Sequence, residues 1–326
     1  MPPLARQDIV ELTLSLADLA DPVDADARLA LLRLLYAIGR RDLPLGRLFE
    51  GHVDALQIIA RYGTAAQAVS ARQSAAAGAA FGVWNADLAG SPLRWADGQL
   101  TGGKAFASGA GVLSHALVSV DVEAGRQLLL LDLERTPPQI DRTWWRVTGM
   151  QRSETHIVRW SGQDLGPEAR IGDPGDYIRE PWFSGGALRF AAVQAGGIAT
   201  LVDQVRDHLV MQNRATDPHQ RRRLAALYRA AQGAADAVAT AALRWVDEDV
   251  TATLAYVAAA RVAVYEAGEE ALTLAQAAVG LQGMFVDHPI AAVLTDLAVY
   301  LRQPGPDAQT TRLGEAVATN VLTPTL

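Results

Sequence analysis

The sequence predicts an α+β protein that is mostly α-helical, with N-terminal helices, a small middle β-domain and a C-terminal four-helix bundle. The prediction rests on two changes of hydrophobic period along the 326 residues. Apolar residues recur at helical spacing up to residue 75, form short β-type runs between residues 81 and 160, and return to helical spacing from residue 187. The predicted domains span residues 1–78, 79–172 and 173–326.

The N-terminal helical block contains segments such as ARLALLRLLYAIGRR and GHVDALQIIARYG, with breaks at Asp21-Pro22 and around Pro44. Proline interrupts a helix because it lacks a backbone N–H and clashes with the preceding turn. The start of the chain does not join a basic segment to an apolar one, and we find no apolar run of about 18 residues, so we expect neither a signal peptide nor a transmembrane helix. Because the chain also has no cysteine, and so no disulfide framework, we expect a cytoplasmic protein.

The middle segment indicates a sheet because ALVSVDV, QLLLLDL and THIVRW are short apolar runs separated by Gly, Pro and charged turns. After a Pro- and Gly-rich link, helical stretches are predicted at about 187–213, 219–247, 250–280 and 289–303. Asp217 followed by Pro218 is a good N-cap and first helical residue. Pro304, Gly305 and Pro306 predict an exposed elbow before a last short helix.

Small residues in AAVQAGGIAT and AAQGAADAVATAA would let the bundle helices approach closely. The same alanine content can instead be a compositional habit of the organism. Local pattern does not separate these two explanations, and both are kept.

Charge and cysteine content argue against several classes of function. The chain carries 29 Lys and Arg residues against 36 Asp and Glu residues, a net charge of −7. We therefore expect no sequence-independent binding to nucleic acid and no binding to an anionic membrane. The absence of cysteine leaves no disulfide and no thiolate nucleophile. The six histidines include no i,i+4 or His-x-His ligand pair, so we expect no metal site.

Three motifs in the order helices, sheet, bundle resemble the acyl-CoA dehydrogenase family. GGKAFASGAGVLSHALVSV at 102–120 is similar to the family's Gly-x-Lys-x-Trp-Ile-Thr-Asn-Gly hairpin and following strand. VTGMQRSETHIVRW at 147–160 is similar to its Leu-Gly-Met-Arg-x-Ser-x-Thr segment, and HPIAAVLTDLAVY at 288–300 to its Tyr-Pro-Val-x-x-Leu-x-Arg-Asp helix. The resemblance spans almost the whole chain and implies the family's three-part fold, an FAD cofactor and at least a homodimer, either a dimer or a tetramer.

The resemblance places the isoalloxazine site on the hairpin. Phe106 stands where the family has the aromatic residue that packs on the flavin ring, and Ser108 where it has the hydroxyl that hydrogen-bonds the ring near N5. A serine hydroxyl keeps the donor that stabilises charge on reduced flavin. Phe106 can also be a core residue and Ser108 a turn hydroxyl. The strand FGVWNADL is similar to the family's Tyr-x-Val-Thr-Glu-Pro and implies Phe81, Val83 and Trp84 at the flavin edge.

The rest of the implied cofactor contacts comes from the bundle. Arg214 matches the family's arginine that reaches the FAD pyrophosphate of the neighbouring subunit, although a helix C-terminal charge explains it equally well. AQAAVGLQG is similar to the Gln-x-x-Gly-Gly segment and makes Gln282 a candidate, with Gln276 and Gly280 in an uncertain register. Glycine there would permit close approach of the backbone to phosphate.

Both positions of the family's glutamate base are occupied by other residues. The family's Tyr-Glu-Gly matches Gln303-Pro304-Gly305, so Pro304 replaces the glutamate. Members that place the base on the first bundle helix have it directly before an arginine, and the corresponding dipeptide is Leu188-Arg189. Arg189 can orient an anionic or carbonyl group, or be a buried structural arginine. No motif supports the acidic residues that could replace the base, namely Glu180, Asp176, Asp203 and Asp207.

Three functions remain open from the sequence. The first is an FAD-dependent oxidoreductase of acyl-CoA dehydrogenase type that acts on a non-standard substrate. The second is a member similar to flavin-dependent monooxygenases, which dispense with the glutamate. The third is a retired homologue that acts as a binding or scaffold protein. The helical segment before the sheet is shorter than the family's usual domain, and ADLAGSP offers no clear equivalent of its Gly-Ser-Asp turn, so CoA binding is in more doubt than flavin binding.

Overall fold

The computed structural model describes residues 4–14, 21–303 and 305–325. These residues group into two compact units. Unit 1 takes its described residues from 4–14, 21, 47–146 and 151–179, and unit 2 from 22–46, 147–150, 180–303 and 305–325. The three predicted domains, 1–78, 79–172 and 173–326, stay a prediction.

Unit 1 joins short helices to two small sheets. Its helices are α1 (Arg6–Leu14), α3 (Leu43–Tyr62) from residue 47 onward, and α4 (Ala65–Ala76). α4 begins at a capping box, because the Thr64 hydroxyl accepts from the backbone N–H of Gln67 at 3.2 Å and the Gln67 side chain accepts from the backbone N–H of Thr64 at 2.9 Å. Two otherwise unpaired N–H groups are satisfied in this way.

Seven of the eight strands in the described residues begin between residues 81 and 160, where the sequence predicts β-type runs, and the last, a two-residue strand, follows that segment. The strands are β1 (Phe81–Trp84), β2 (Arg94–Ala96), β3 (Gln99–Ala107), β4 (His115–Val122), β5 (Gly125–Asp132), β6 (Gln139–Asp141), β7 (His156–Asp164) and β8 (Arg170–Ile171). One sheet has the order β1-β4-β5-β8, with β1 parallel to β4, and the other the order β2-β3-β7-β6. The core of unit 1 forms where the first sheet packs on α3 and α4 through Ile59, Ala71, Phe81, Leu117 and Leu128.

Unit 2 is the helical bundle. Its helices are α2 (Ala25–Arg41), α5 (Trp182–Gly185), α6 (Ala187–Met211), α7 (Pro218–Leu243), α8 (Val250–Val279), α9 (Pro289–Tyr300) and α10 (Pro306–Ala318). The four predicted bundle helices and the short last helix are confirmed to within a few residues. The predicted cap of α7 is also confirmed, because the Asp217 carboxylate accepts from the backbone N–H groups of His219 and Gln220 at 2.9 and 3.0 Å.

Close packing between α2 and α6 depends on glycine. A Cβ added to Gly196 would lie 2.1 Å from the Tyr36 carbonyl oxygen, and one added to Gly39 would lie 2.2 Å from the Val193 carbonyl oxygen. The prediction that small residues in AAVQAGGIAT allow close approach is therefore confirmed at Gly196. The helix that approaches is α2, which the sequence assigned to the N-terminal domain.

One expectation about the apolar segments was wrong. Residues Trp182–Met211 contain an 18-residue window with a mean hydropathy of 1.2, enough by length and composition to cross a membrane. Within the protein, 67% of that window is buried, as in the core helix of a globular bundle. The window was missed because glycine and alanine break the visible run of large apolar residues.

The predicted elbow falls partly outside the described residues, which do not include Pro304. Gly305 is the N-cap of α10 with φ of 41°, in the left-handed region that glycine tolerates, and Pro306 is the first residue of the helix. The short helix predicted after the elbow is confirmed.

Candidate functional site

A chain of buried hydroxyls ends at Ser108 in unit 1. Thr155 Oγ1 donates to Ser108 Oγ at 3.0 Å, and Ser153 Oγ lies 2.7 Å from Thr155 Oγ1. Because Thr155 uses its proton on Ser108, Ser153 is the donor to Thr155. The proton of Ser108 itself has no acceptor among the described residues. A polarised chain of this kind strengthens the last donor, so Ser108 is prepared to donate to a group from outside the protein. We call residues 104–108 and 153–156 the hairpin region.

Phe106 projects from an irregular part of the hairpin region. The register of β3 against β7 shifts between Lys104 and Ala107, and Phe106 has φ of 54°. This is the left-handed region, which costs a non-glycine residue free energy and is found most often at functional sites. The ring is 49% exposed, so the alternative that Phe106 is only a core residue does not describe it.

Phe106 contacts two tryptophans of the loop after β6. Its ring lies 4.8 Å from Trp144 at an interplanar angle of 81° and 6.3 Å from Trp145 at 85°. The two indoles are 5.9 Å apart and inclined by 29°. The three rings form a corner in which the phenyl ring stands nearly perpendicular to both indoles. We call Phe106, Trp144 and Trp145 the aromatic corner.

Phe81, Val83 and Ser108 line one small cavity, together with Arg47, Leu48, Gly51, Gly82 and Leu113. Its volume of about 10 Å³ is enough for about one water molecule and not for a ring. Phe81 is 1% exposed, and its ring stacks on His115 at 4.7 Å and 17°. The structure therefore brings three of the predicted residues together, although Phe81 is already covered by its own chain.

Trp84 supports the site from the core. It is 1% exposed, and its Nε1 donates to the backbone carbonyl of Ser108 at 2.9 Å. The family's usual threonine is too short to make this bond from the same position. Trp84 fixes the backbone that carries Ser108, while its predicted contact with the flavin edge stays a prediction.

The chain's only lysine, Lys104, is the first residue of the hairpin region and is buried. Its Nζ donates to Asp87 Oδ1 at 2.6 Å, to Ser119 Oγ at 3.1 Å and to the Asn85 carbonyl at 3.2 Å. Arg126 donates to the other carboxylate oxygen of Asp87 at 3.0 Å. Burial lowers the pKa of Lys104 to about 8, against the opposing effect of the Asp87 carboxylate. The network occupies all three ammonium donors and holds the strand ahead of Phe106.

His52 ties α3 to β1. Its Nδ1 accepts from the backbone N–H of Phe81 at 3.0 Å, so the ring proton is on Nε2, 3.1 Å from Thr13 Oγ1. Thr13 in turn donates to the Ile9 carbonyl at 2.9 Å. Burial lowers the pKa of His52 to about 4, which keeps the ring neutral near pH 7.

The predicted base positions belong to unit 2. Leu188 on α6 is 2% exposed and has no proton-accepting group. Arg189 follows it, partly buried, with its guanidinium close to Gly186. Both the orienting and the structural role of Arg189 stay predictions. Pro304 lies outside the described residues.

Arg261 of α8 lies beside the segment that matches the family's base. Its guanidinium is 4.3 Å from the centre of the Phe190 ring and donates to the Gln303 carbonyl at 2.8 Å. The side chain is 3% exposed, and burial lowers its pKa to about 10. The sequence analysis missed Arg261, because a single arginine in an alanine-rich helix carries no motif. A buried cation therefore lies beside a segment that in the family carries a carboxylate.

Arg214 and Gln282 are both exposed in unit 2. Arg214 follows the end of α6, where its backbone N–H donates to the Leu209 carbonyl at 2.8 Å. With the Gln220 amide turned so that its oxygen faces the arginines, that oxygen accepts from Arg214 at 2.6 Å. Gln282 lies in the short 3-10 turn after α8, next to Gly280 with φ of 73°. Their predicted contacts with a dinucleotide stay predictions.

The acidic candidates for a relocated base are engaged in local structure. Glu180 accepts from the backbone N–H and the hydroxyl of Ser184, Asp176 from the backbone N–H of Asp173, Asp203 from Arg40 and Arg206, and Asp207 from Arg206. Each carboxylate therefore has a local hydrogen-bond or ion-pair partner. The contacts single out none of them as a base.

Two histidines that are far apart in the sequence meet in unit 2. His288 caps α9 by accepting from the backbone N–H of Ile290 at its Nδ1, and its Nε2 lies 3.2 Å from His208 Nδ1. Burial comes first among the causes that lower the pKa of His208, followed by the charges of His288 and Arg214. Among the described residues, no group of three His, Cys, Asp or Glu side chains could hold a metal ion.

No protein-family model and no curated protein sequence matches the chain. Solved structures do match. The dibenzothiophene monooxygenase TdsC from Paenibacillus sp. A11-2, also crystallised with FMN, is 17% identical, with a TM-score of 0.79 over 90% of this chain and 84% of TdsC. An FAD complex of PigA is 13% identical, with a TM-score of 0.80 over 98% and 91%. Glutaryl-coenzyme A dehydrogenase with glutaryl-CoA is 16% identical, with a TM-score of 0.79 over 96% and 86%.

These similarities cover nearly the full length of the chain. At such low identity they establish the fold: the chain has the acyl-CoA dehydrogenase-like α+β fold, and the predicted fold class is confirmed. The same fold is found in a monooxygenase and in a dehydrogenase, so the fold alone does not select the reaction.

Proposed function

We propose that this chain binds a flavin at the hairpin region and acts as a flavin-dependent oxidoreductase on a substrate that does not need the family's glutamate base. The observation that carries the proposal is the Ser153–Thr155–Ser108 hydroxyl chain, which ends in a donor with no acceptor among the described residues. The structures with this fold that were solved with FMN or FAD support the choice of cofactor.

Two residues of the hairpin region supply groups that suit the plane and the polar edge of a flavin, whereas the cavity of about 10 Å³ beside Ser108 has no room for the ring itself. Ser108 supplies a hydrogen-bond donor, and Phe106 supplies a half-exposed aromatic ring two residues away. Trp84 holds the backbone carbonyl of Ser108 from the core. A bound flavin would supply hydride or oxygen chemistry that protein side chains lack. The chain's own contribution would be to pack an aromatic ring on the flavin plane and to donate a hydrogen bond from Ser108 Oγ to its polar edge.

FAD is the form that we propose, because Arg214 and Gln282 match the family's residues on the dinucleotide side. The same resemblance supports a homodimer or tetramer. A comparison of FAD with FMN tests the dinucleotide contacts: Arg214→Ala should weaken FAD binding and leave FMN binding unchanged. An equal loss of affinity for both flavins would show that Arg214 supports the fold and does not contact the dinucleotide.

A monooxygenase-like reaction is the second candidate. The observation that favours it is the apolar, buried Leu188 at one base position, together with proline at the other in the sequence. General-base catalysis contributes about 10²–10⁴-fold, so a dehydrogenation that begins with α-proton removal would be severely slowed. A reaction that begins with oxygen and reduced flavin does not need this base.

The test is a flavin titration of the purified protein. The visible absorption band of the purified chain, and the change in flavin fluorescence on adding FAD or FMN to flavin-free protein, should show stoichiometric binding. Ser108→Ala should keep the fold and weaken flavin binding or shift the reduction potential of the flavin. Ser161→Ala, at an exposed position of β7, is the matched control and should change neither. A colourless protein that binds neither flavin would support the scaffold alternative and end the proposal.

A further inference from the structure

We propose that Trp144 and Trp145 form part of the flavin site, so that the aromatic corner binds the isoalloxazine ring where the family's hairpin uses one indole. The inference rests on the proposed flavin function and extends it to two residues for which the sequence analysis found no role. It begins from an apolar surface that the protein exposes at a strained position.

The backbone of the hairpin region turns Phe106 outward. The register of β3 shifts after Lys104, and Phe106 has a positive φ. Together these irregularities turn the Phe106 ring to the surface, which the alternation of side chains along a regular strand would not by itself require. Strain of this kind persists only where surrounding structure imposes it, and it is concentrated at binding sites. The buried Lys104 network on one side and the Trp84 bond to Ser108 on the other supply that surrounding structure.

The tryptophans give the corner its shape. Both indoles are partly buried and stand nearly perpendicular to the phenyl ring, at 81° and 85°. Aromatic rings prefer offset stacking or edge-to-face contact, because the ring edge is positive and the face negative. A planar ligand parallel to Phe106 would therefore present its edge to the indoles, and the corner offers both favourable contacts at once.

The position of Ser108 selects the ligand. Its hydroxyl proton, two residues from Phe106, needs an acceptor, and the donor chain behind it is complete. The isoalloxazine ring combines an aromatic plane with hydrogen-bond acceptors along one edge. An unsubstituted aromatic hydrocarbon has the plane without the acceptors, and so fits the corner but not Ser108.

The corner also accounts for a change in the motif. The hairpin carries Phe106 where the family has tryptophan, so it has less ring area and no indole N–H. Trp144 and Trp145 come from a different segment of unit 1 and return indole surface to the same place. The added indole surface comes from a contact between distant segments, so a local sequence motif does not reveal it.

The test uses riboflavin and FAD with the full-length protein. An indole in contact with flavin quenches its fluorescence by electron transfer, and phenylalanine does not, so bound flavin should be strongly quenched in the wild type. In Trp144→Phe/Trp145→Phe the bound flavin should regain several-fold brightness, and the dissociation constant should rise about 5-fold or more. Riboflavin tests ring contact without any contribution from phosphate.

Trp95→Phe is the control, because Trp95 lies in the same unit and stacks on Arg170 instead of the corner. It should leave both fluorescence and affinity unchanged. Single Trp144→Phe, checked by circular dichroism and thermal melting, guards against loss of fold in the double variant and should recover part of the brightness.

Bound flavin that stays equally quenched and equally tight in both Trp144→Phe and the folded double variant would overturn this inference while leaving the flavin proposal intact. Absence of flavin binding to the wild type would overturn both. A double variant that binds flavin normally but loses affinity for an aromatic substrate would reassign the corner to that substrate and also contradict the inference.

Discussion

The hairpin region of unit 1 and the segment joining α9 to α10 in unit 2 differ in the polar groups that they present. In the hairpin region, three hydroxyls in series end in a donor at Ser108. Beside the α9–α10 segment, the buried Arg261 donates to the Gln303 carbonyl, and the matched base position on α6 is the apolar Leu188. The groups suited to contact a flavin are present, and the groups suited to remove a proton from a substrate are replaced.

The donor chain and the base positions therefore depend on different elements of the fold. The hydroxyl chain depends on β3 and β7 and on residues between them, all within unit 1. The base positions depend on α6 and on the end of α9, within unit 2. Since the Ser153–Thr155–Ser108 hydrogen bonds form within unit 1, substitutions in unit 2 could remove the base without replacing any of these hydroxyls. The following predictions test whether the two regions are independent in this way.

The largest effect is expected from Gly196→Val on α6, the helix that carries Leu188. A Cβ at this position would lie 2.1 Å from the Tyr36 carbonyl oxygen, so α2 and α6 must separate. We expect the free energy of unfolding to fall by about 4 kcal/mol or more. Urea denaturation followed by circular dichroism measures it.

Gly233→Val on α7 is the matched control, because a Cβ there meets no atom within 4 Å. Its effect should stay within about 0.5 kcal/mol, since valine is a slightly better helix former than glycine. Equal stability of both variants would contradict the close contact of α2 with α6.

The next effect concerns Lys104, the support of the hairpin region. Lys104→Met leaves the Asp87 carboxylate without its closest cation and should cost about 3 kcal/mol of unfolding free energy. Because Lys104 is the only lysine in the chain, NMR of ¹³C-lysine-labelled protein reports its titration without overlap. A pKa near 8 is expected, as burial disfavours the charged form.

The sign of the pH effect follows from that pKa. The unfolded lysine binds its proton up to about pH 10.4, whereas the folded one releases it near 8, so stability should rise with pH across this interval. The double variant Lys104→Met/Asp87→Asn should lose this slope and recover part of the stability. A lysine that titrates at its usual value in folded protein would rule out the buried network.

How much the sequence could predict differs between the two regions. The helices α6 to α10 were predictable because their apolar period, the Asp217 cap and the proline elbow are local signals. The identity of Phe106 and Ser108 as candidates came from a contiguous motif. The donors behind Ser108 come from 45 to 47 residues later in the chain, and no periodicity connects hydroxyls at that separation.

Contacts between distant segments account for the other residues that the sequence did not predict. Gly39 packs against the backbone of α6, more than 150 residues away. The local pattern does not predict this contact, because the close approach of two backbones depends on where the helices cross. His208 and His288 are 80 residues apart, so no short ligand-pair spacing in the sequence indicates that they meet. Trp144 and Trp145 lie in a loop without helical or strand period. Each of these depends on tertiary packing, which a local pattern does not encode.

A smaller effect is expected at His52, which joins α3 to β1. Its folded pKa of about 4 lies below the usual value of 6.5, so the contribution of neutral His52 is fully present above pH 6.5 and is lost as pH falls toward 4. We expect a loss of about 3 kcal/mol across this interval. His52→Gln should be less stable at pH 7 and should show a shallower acid slope in denaturant titrations; an unchanged slope would assign acid sensitivity to other groups.

The smallest effect tests the hydroxyl chain. Thr155→Val removes the donor to Ser108 and keeps the side-chain shape, which should change flavin binding by about 1 kcal/mol or shift the two-electron potential by about 20–30 mV. Potentiometric titration of the flavin-loaded protein measures the shift. Thr136→Val, whose hydroxyl donates to the Asp132 carbonyl outside the hairpin region, is the control and should leave the potential unchanged. Equal shifts in both variants would argue against a directed chain.

Anaerobic mixing of the flavin-loaded protein with saturated acyl-CoA tests whether the chain binds a flavin but lacks the family's base. Short-, medium- and long-chain acyl-CoA should leave the oxidised flavin absorbance unchanged over minutes, because removal of the base costs about 10²–10⁴-fold in rate. Dithionite should bleach the same sample, which shows that its flavin can be reduced. Rapid bleaching by a simple acyl-CoA would contradict the account and would require a base among the carboxylates that we assign to structural roles, beginning with Glu180, Asp176 and Asp203.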